Sequence, residues 1–150
     1  MADVHKKSVR SYNMSRIGAR DTSPELIVRK YLFGMGLRYR LHVKSLAGKP
    51  DIVFKKFRVA IFINGCFWHG HSNCKYFSIP KTRSKWWSEK IDGNRLRNKA
   101  NIFELKQTGW LVIEIWQCQL KSDKREKTLH TLFLEIANSP NIVDFQSISQ

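Results

Sequence analysis

The stretch Cys66-Phe67-Trp68-His69-Gly70-His71-Ser72-Asn73-Cys74 holds two thiols, two imidazoles and two large aromatic rings. It follows the apolar run Val59-Ala60-Ile61-Phe62-Ile63 and the turn pair Asn64-Gly65, which is typical of a loop that begins where a buried strand ends. Zinc prefers thiolate and imidazole ligands, so this loop is a candidate for a tetrahedral zinc site. Two large rings cannot both fold into so short a loop, and we expect at least one of them to point outward.

Five soft donors compete for such a metal: Cys66, His69, His71, Cys74 and Cys118. A structural zinc ion takes four ligands and leaves no open position, so three thiolates and one imidazole would complete it. The spacing permits either His69 or His71, and the other imidazole would remain beside the loop for general acid–base work. The alternative, three buried free thiols and two unrelated histidines, requires three unrelated features to coincide. Cys118 is distant in sequence, but it follows a predicted strand that could lie beside the predicted strand Phe57–Ile63.

The length of 150 residues and the hydrophobic fraction of 42% indicate one domain with a real core. We expect a single domain over residues 1–150, with a basic N-terminal arm over residues 1–21 that orders on a partner, and a loose tail over residues 139–150. The first residues lack the apolar segment of a signal peptide, and no run is long and apolar enough to cross a membrane. The sequence therefore predicts a soluble, cytoplasmic protein.

The charge balance is the strongest global feature: 27 Lys and Arg residues face 12 Asp and Glu residues, for a formal net charge of +15. Such an excess favours a polyanionic partner, most often nucleic acid. A merely basic soluble protein and one that meets an anionic membrane are weaker alternatives, because aromatic residues are interleaved with the charge and no basic amphipathic membrane helix stands out. Three cysteines, an odd number, exclude a complete disulfide framework and favour metal ligation.

Hydrophobic periodicity predicts three helices. Thr22-Ser23-Pro24-Glu25 is typical of a helix start, with the first hydroxyl capping and Glu25 reaching back in a capping box, a role that could by itself explain Glu25. Gly34 and Gly36 end this helix, and a second is predicted from about Gly93 to Thr108. The apolar stripes of the three helices are Val28, Tyr31, Leu32 and Met35; Leu96, Ala100, Phe103 and Gln107; and Leu129, Leu132, Phe133 and Ile136.

Four strands are predicted between these helices: Leu37–Val43, Asp51–Phe54, Phe57–Ile63 and Trp110–Trp116. The first alternates apolar and basic residues, so we expect it to be half-buried with a basic outer face. The third is nearly all apolar, so both of its faces should be covered. The element order predicts an α/β sandwich with a central mixed β-sheet flanked by helices.

Further residues have side chains suited to chemistry or to DNA contact. Asp51 follows Pro50 at a strand start, where a carboxylate in a cationic protein can hold Mg²⁺, although Pro-Asp pairs are also ordinary turn residues. Phe67-Trp68 and Trp86-Trp87 are aromatic pairs in basic, irregular surroundings, where rings can stack on bases or wedge between base steps. For one member of each pair we expect core packing instead. The histidines expected to be surface residues with no role are His5, His42 and His130.

Together these motifs resemble the very short patch repair (Vsr) mismatch endonuclease family, from about Val4 to Leu120. The block Gly65-Cys66-Phe67-Trp68-His69 is highly specific, and the N-terminal pattern supports it independently. The other matching residues are Arg10-Ser11, Asn13-Met14, Arg20-Asp21-Thr22, Glu25, Gly48-Lys49-Pro50-Asp51, His71, Cys74, Pro80, Thr82-Arg83, Trp87, Glu89-Lys90-Ile91, Gly109-Trp110, Trp116 and Cys118.

The resemblance implies a restriction-endonuclease-like fold of the PD-(D/E)XK type with an added structural zinc site. It implies Mg²⁺-dependent nicking of duplex DNA 5′ to the T of a T:G mismatch, the lesion left when 5-methylcytosine deaminates. The implied partners are double-stranded DNA with the mismatch, mismatch-repair proteins and a cytosine-5 DNA methyltransferase. The enzyme would be a monomer of the bacterial cytoplasm, associated with the nucleoid through DNA binding.

The resemblance also implies roles by position. Asp51 and the backbone carbonyl of Ile63 would bind Mg²⁺. His69 would be the acid–base group, and Glu25 would assist at the site. The zinc ligands would be Cys66, His71, Cys74 and Cys118. The rings that wedge beside the mismatch would be Phe67, Trp68 and Trp87. Residues 1–21 would clamp the duplex.

Three positions depart from the family pattern. Asn64 stands where the family commonly has a second His, Asn98 where it often has an Asp, and Ile63 where it has a hydroxyl residue. Asn cannot accept a proton as His does, and it cannot orient His69 as a carboxylate would. Asn64 and Asn98 motivate one alternative function, a zinc-containing protein that grips distorted DNA with weak or no cleavage. A separate alternative is a site-specific restriction-like endonuclease.

Overall fold

The computed structural model describes residues 21–140 of the chain. The predicted N-terminal arm, apart from Asp21, and the predicted tail beyond residue 140 lie outside the described residues, while Ser139 is buried. The helices and strands, in chain order, are α1 Ser23–Gly34, β1 Arg40–Leu41, β2 Ile52–Phe54, β3 Val59–Asn64, α2 Ser84–Gln107, β4 Leu111–Trp116, a short 3₁₀ helix Gln117–Leu120, and α3 Arg125–Ala137. This order confirms the predicted succession of elements.

The four strands form one mixed sheet, as predicted. Strands β1, β2 and β3 are antiparallel neighbours, whereas β3 and β4 are parallel. Parallel neighbours need a long crossover connection, which the loop after β3 and helix α2 supply. In this pair Ile61 lies opposite Ile113 and Asn64 opposite Trp116. The two strands therefore end level with each other, and a cysteine follows two residues after each end.

Both faces of the sheet are covered, because successive side chains of a strand point to opposite sides. On one face, Ile61 of β3 belongs to a core with Val28 of α1 and Ile136 of α3. On the other face, Phe62 of β3 packs with Leu105 of α2. The prediction that both faces of β3 are covered is confirmed, since all but one of its residues are buried.

Strand β1 is much shorter than the predicted strand Leu37–Val43. Only Arg40 and Leu41 pair with β2, and both side chains are exposed. His42 adopts a positive φ of 47°, a left-handed conformation that ends the strand. The alternating pattern of the sequence is therefore wrong about the length of this strand and about the burial of Leu41.

Helix α2 begins at Ser84 and not at about Gly93, so it is 24 residues long. The pair Trp86-Trp87 therefore lies in its first turn and not in irregular chain. Despite its length the helix is polar, and within residues 21–140 no helix is both long and apolar enough to span a membrane.

The apolar stripe predicted for α2 faces solvent. Leu96 and Phe103 are 69% and 65% exposed, whereas Ile91 and Leu105 are buried. The inner side of the helix also carries asparagines that border a cleft, so its inward line is too polar to be recognised from hydrophobic periodicity.

Candidate active site and metal centre

A cleft of about 1010 Å³ opens between the start of α1, the strands β2 and β3, and the middle of α2. It brings together most of the residues that the resemblance assigns to catalysis and DNA contact, namely Glu25, Asp51, Ile63, Phe67, Trp68 and His69. The expected zinc ligands are grouped elsewhere, beyond the shared end of β3 and β4.

Asp51 is fixed just before β2, where its backbone N–H donates to the Ile61 carbonyl at 3.0 Å. One of its carboxylate oxygens accepts the Ile63 N–H at 2.7 Å. Burial raises the pKa of Asp51 from 3.8 to about 6, although the Ile63 hydrogen bond lowers this pKa, and the charge of Glu25 raises it further. A carboxylate whose charge the protein stabilises so poorly is suited to bind a hard cation.

Glu25 lies in the first turn of α1 and is only 3% exposed. Its carboxylate accepts the Asp21 N–H at 3.2 Å and a hydrogen bond from the Arg29 guanidinium at 2.8 Å. The predicted capping box is therefore wrong, since Thr22 makes no side-chain cap and Glu25 reaches back to Asp21 instead. Arg29 also pairs with Asp21 at 2.7 Å, so one guanidinium compensates two carboxylates at the cleft wall.

His42 lies between the carboxylates of Glu25 and Asp51, so the prediction that it is a surface residue is wrong. Its Nε2 is 3.5 Å from Glu25 and its Nδ1 is 4.0 Å from Asp51. The Arg29 guanidinium is 3.1 Å from the same Nε2. Strand alternation placed His42 on a basic outer face, whereas its side chain is 16% exposed. The sequence signal for this network is the Arg four residues after Glu25, one helical turn away.

His69 lies at the cleft, and its backbone N–H donates to the Gly65 carbonyl at 3.2 Å. Burial lowers the pKa of His69, while the charge of Glu114 raises it. Among the described residues, no hydrogen-bond partner is found for its buried Nδ1. The neutral imidazole that burial favours can accept a proton, which suits acid–base chemistry.

Glu114 is a residue that sequence reasoning did not single out. The buried side chain of Asn64 donates to its Oε1 at 3.1 Å, and Asn98 donates to the same oxygen at 2.9 Å. Asn64 and Asn98, two of the three positions that depart from the family pattern, are thus joined through one carboxylate. The available signal was the lone acidic residue within the apolar strand Leu111–Trp116.

A second cluster contains three thiols and one imidazole. The ligand atoms of Cys66, His71, Cys74 and Cys118 all lie within 4.8 Å of one another. The Cys118 Sγ is 3.4 Å from the His71 Nδ1, and the Cys118 N–H donates to the Cys66 Sγ at 3.3 Å. Of the two histidines that the spacing allowed, the structure groups His71 with the thiols. The Trp116 ring stacks on His71 with 4.0 Å between ring centroids and so fixes the imidazole plane.

The donor set fits a zinc ion, since four soft donors converge and no fifth donor from residues 21–140 belongs to the cluster. Burial raises the pKa of the Cys66 thiol to about 12. A buried thiol of this kind loses its proton when a dication stabilises the thiolate. The cluster could therefore hold a metal, as expected from the sequence.

Three aromatic residues, Phe67, Trp68 and Trp87, form what we call the aromatic cluster. Their ring centroids are 5.3 Å apart for Phe67 with either tryptophan and 5.8 Å apart for the two tryptophans. Asn94 of α2 donates to the Trp68 carbonyl at 2.9 Å and so ties the loop to the helix. All three rings are partly exposed, as is Trp86, so the prediction that one member of each pair packs in the core is wrong.

The chain is similar to proteins of known activity. Residues 2–75 match the family described as DNA mismatch endonuclease Vsr. The chain is 46% identical over 122 residues to the type II nicking enzyme V.NmeAIP of Neisseria meningitidis, covering 81% of this chain and 86% of that protein. It is 45% identical over 127 residues to the DNA mismatch endonuclease Vsr of Escherichia coli K12, covering 85% and 80%. It is 43% identical over 120 residues to the type II nicking enzyme V.XorIIP of Xanthomonas oryzae, covering 80% and 88%.

These matches, together with a cleft that carries carboxylates and an imidazole, place the chain among the nucleases. It belongs to the Vsr family of DNA mismatch endonucleases.

Proposed function

We propose that this chain is a DNA mismatch endonuclease that nicks duplex DNA 5′ to the T of a T:G mismatch. The observation that carries the proposal is the cleft in which Glu25, Asp51 and His69 lie beside the aromatic cluster. The E. coli relative, a DNA mismatch endonuclease, supports the same activity. The net charge of +15 suits a polyanionic substrate.

Asp51 and the backbone carbonyl of Ile63 would hold Mg²⁺, since both offer the hard oxygen ligands that this ion prefers. A bound cation would also offset the burial that raises the pKa of Asp51 to about 6. When bound, Mg²⁺ stabilises negative charge that develops on the scissile phosphate. Glu25 lies near enough to raise the pKa of Asp51, and Arg29 keeps Glu25 in place beside it.

The reaction adds water across one P–O bond of the backbone. The water oxygen bonds to phosphorus, the bond to the leaving sugar oxygen breaks, and one proton passes from the water side to the leaving oxygen. His69 would hold this proton at Nε2, since its Nδ1 is buried. The neutral imidazole that burial favours is the form that can accept it.

The aromatic cluster would insert beside the mismatch. Opening a base step costs about a few kcal/mol, and a T:G wobble is more weakly stacked than a proper pair, so insertion there costs less. Shape and deformability would then supply specificity that base-edge contacts alone do not. The partly exposed rings of Phe67, Trp68 and Trp87 are available for such contacts.

The four-residue Cys/His cluster would hold a structural Zn²⁺ that fixes the loop carrying Phe67, Trp68 and His69. The mixed sheet with helices on both faces would be of the restriction-endonuclease-like, PD-(D/E)XK type. The single-domain organisation of residues 1–150, the monomeric state, the cytoplasmic location, and the cooperation with mismatch-repair proteins and a cytosine-5 DNA methyltransferase stay predictions.

A nicking assay on matched and T:G duplexes tests the proposal. With Mg²⁺ present, the wild type should nick the T-containing strand of the T:G duplex and leave the matched duplex intact. Asp51→Ala should abolish nicking, whereas Glu135→Ala, which removes an exposed carboxylate of α3, should not. Equal cutting of both duplexes would contradict specificity for the mismatch. Nicking unchanged by Asp51→Ala would contradict the catalytic role of Asp51.

The same assay separates the alternative functions. Tight binding to the T:G duplex with no strand break, even in Mn²⁺, would favour a binding protein. Cleavage of both strands at an unmodified site would favour a restriction-like endonuclease.

A further inference from the structure

The carboxylate of Glu114 accepts two amide donors at a single oxygen, beside the cleft. We propose that Glu114 is a positioning residue of the active site, whose carboxylate holds Asn64 and Asn98 against the cleft. The proposal rests on the nicking activity proposed above and deepens it.

The sheet brings these groups together. Glu114 of β4 lies opposite Phe62 of β3, and Asn64, two residues further along β3, points to the same face as Phe62. That face looks toward α2, because Leu105 of α2 packs against Phe62. From α2, Asn98 reaches the same Oε1 that Asn64 reaches from β3. One oxygen atom thus ties three elements together.

The positions of Asn64, Asn98 and Glu114 relative to the cleft indicate what each of them does. Asn64 and Asn98 line the cleft, whereas the exposed side chain of Glu114 lies outside the cleft lining. Asn64 and Asn98 each donate a side-chain N–H to the Glu114 carboxylate, so charge-assisted hydrogen bonds fix the orientation of both amides. Glu114 therefore acts on the cleft through the two asparagines that it holds.

A charge-removing variant tests whether the negative charge matters. In Glu114→Gln the amide oxygen can still accept both hydrogen bonds, so the shape is kept and only the charge is lost. We expect kcat for nicking a T:G duplex to fall by about tenfold or more, with KM and the unfolding midpoint unchanged. The matched control is Glu135→Gln, which removes an exposed charge from α3 and should leave both constants unchanged.

A double variant that moves the carboxylate from position 114 to position 98 should restore kcat, a result that a purely structural role of Glu114 does not predict. The Asn98 Nδ2 and the Glu114 Oε1 are 2.9 Å apart, so a carboxylate can stand at either end of this hydrogen bond. In the double variant Glu114→Gln with Asn98→Asp, the new amide donates to the new carboxylate, and kcat should return to within about threefold of the wild type. Asn98→Asp alone sets two carboxylates against each other and should lower kcat.

The outcomes separate this proposal from the proposed function. If the wild type nicks the T:G duplex but Glu114→Gln keeps the wild-type kcat, the role of Glu114 is refuted and the function stands. The same holds if Glu114→Gln is slow and the double variant is no faster. A wild type that cuts no duplex overturns both.

Discussion

Replacing Asp51 by Asn is predicted to stabilise the protein while abolishing nicking. Burial raises the pKa of Asp51 from 3.8 to about 6, so folding works against the charged form of this carboxyl. The gap between the two values corresponds to about 3 kcal/mol at neutral pH. The amide oxygen of Asn can still accept the Ile63 N–H, which lies 2.7 Å from the carboxylate in the wild type. The variant therefore loses a poorly stabilised charge and keeps a hydrogen bond.

The pH dependence follows from the direction of this pKa change. Because the pKa of Asp51 is higher in the folded protein than in the unfolded chain, the wild type carries its full penalty above pH 6. It loses the penalty as the pH falls from 6 toward 3.8, where both forms of the chain become protonated. The stability difference between Asp51→Asn and the wild type should therefore shrink to near zero on acidification.

Urea unfolding of both proteins in magnesium-free buffer, from about pH 4 to about pH 8, measures this difference. Asp92→Asn is the matched control, because the Asp92 carboxylate is 62% exposed and its loss should change stability little at any pH. A variant no more stable than the wild type at neutral pH would refute the reasoning. So would a stability difference that does not vary with pH.

Three further perturbations have defined outcomes. Cys118→Ser should release the metal and lower the free energy of unfolding by several kcal/mol, measured by metal analysis and thermal unfolding; a wild type purified without metal would contradict the site. Arg29→Ala should cost about 3–5 kcal/mol, because Glu25 is left buried without its guanidinium, whereas the exposed Arg38→Ala should cost little in the same unfolding assay. Trp87→Leu should reduce T:G binding, measured by fluorescence anisotropy, by about tenfold relative to matched DNA, and an unchanged ratio would exclude insertion.

The parts of the fold that the sequence predicted well are those set by local apolar pattern. The run Val59–Ile63 is apolar on both faces, and it forms the buried strand β3. The strand before Cys118 does lie beside it, which brings this thiol to the loop thiols. Several cysteines and histidines close together at the end of a strand are enough to predict a candidate metal site.

The parts that the sequence did not predict depend on contacts between distant segments. His42 reaches Glu25 because one left-handed residue ends β1, and no periodicity signals that turn. The first turns of α2 lack an apolar stripe, so the sequence did not predict that they are helical. In the structure Trp87 of these turns packs on the rings of Phe67 and Trp68. The role proposed for Glu114 depends on its hydrogen bonds with Asn64 and Asn98. These two residues come from two other elements, so the sequence did not predict the contact.

The level ends of the parallel strands also constrain the order of assembly. Three donors of the metal cluster come from one loop, but Cys118 is 44 residues beyond Cys74 and arrives only when β4 docks against β3. Closing so long a segment is slow compared with forming a local turn. A nascent chain that stops short of β4 can offer the ion only an incomplete set of donors. Complete coordination of a metal by these four donors would therefore require that the last strand has joined the sheet.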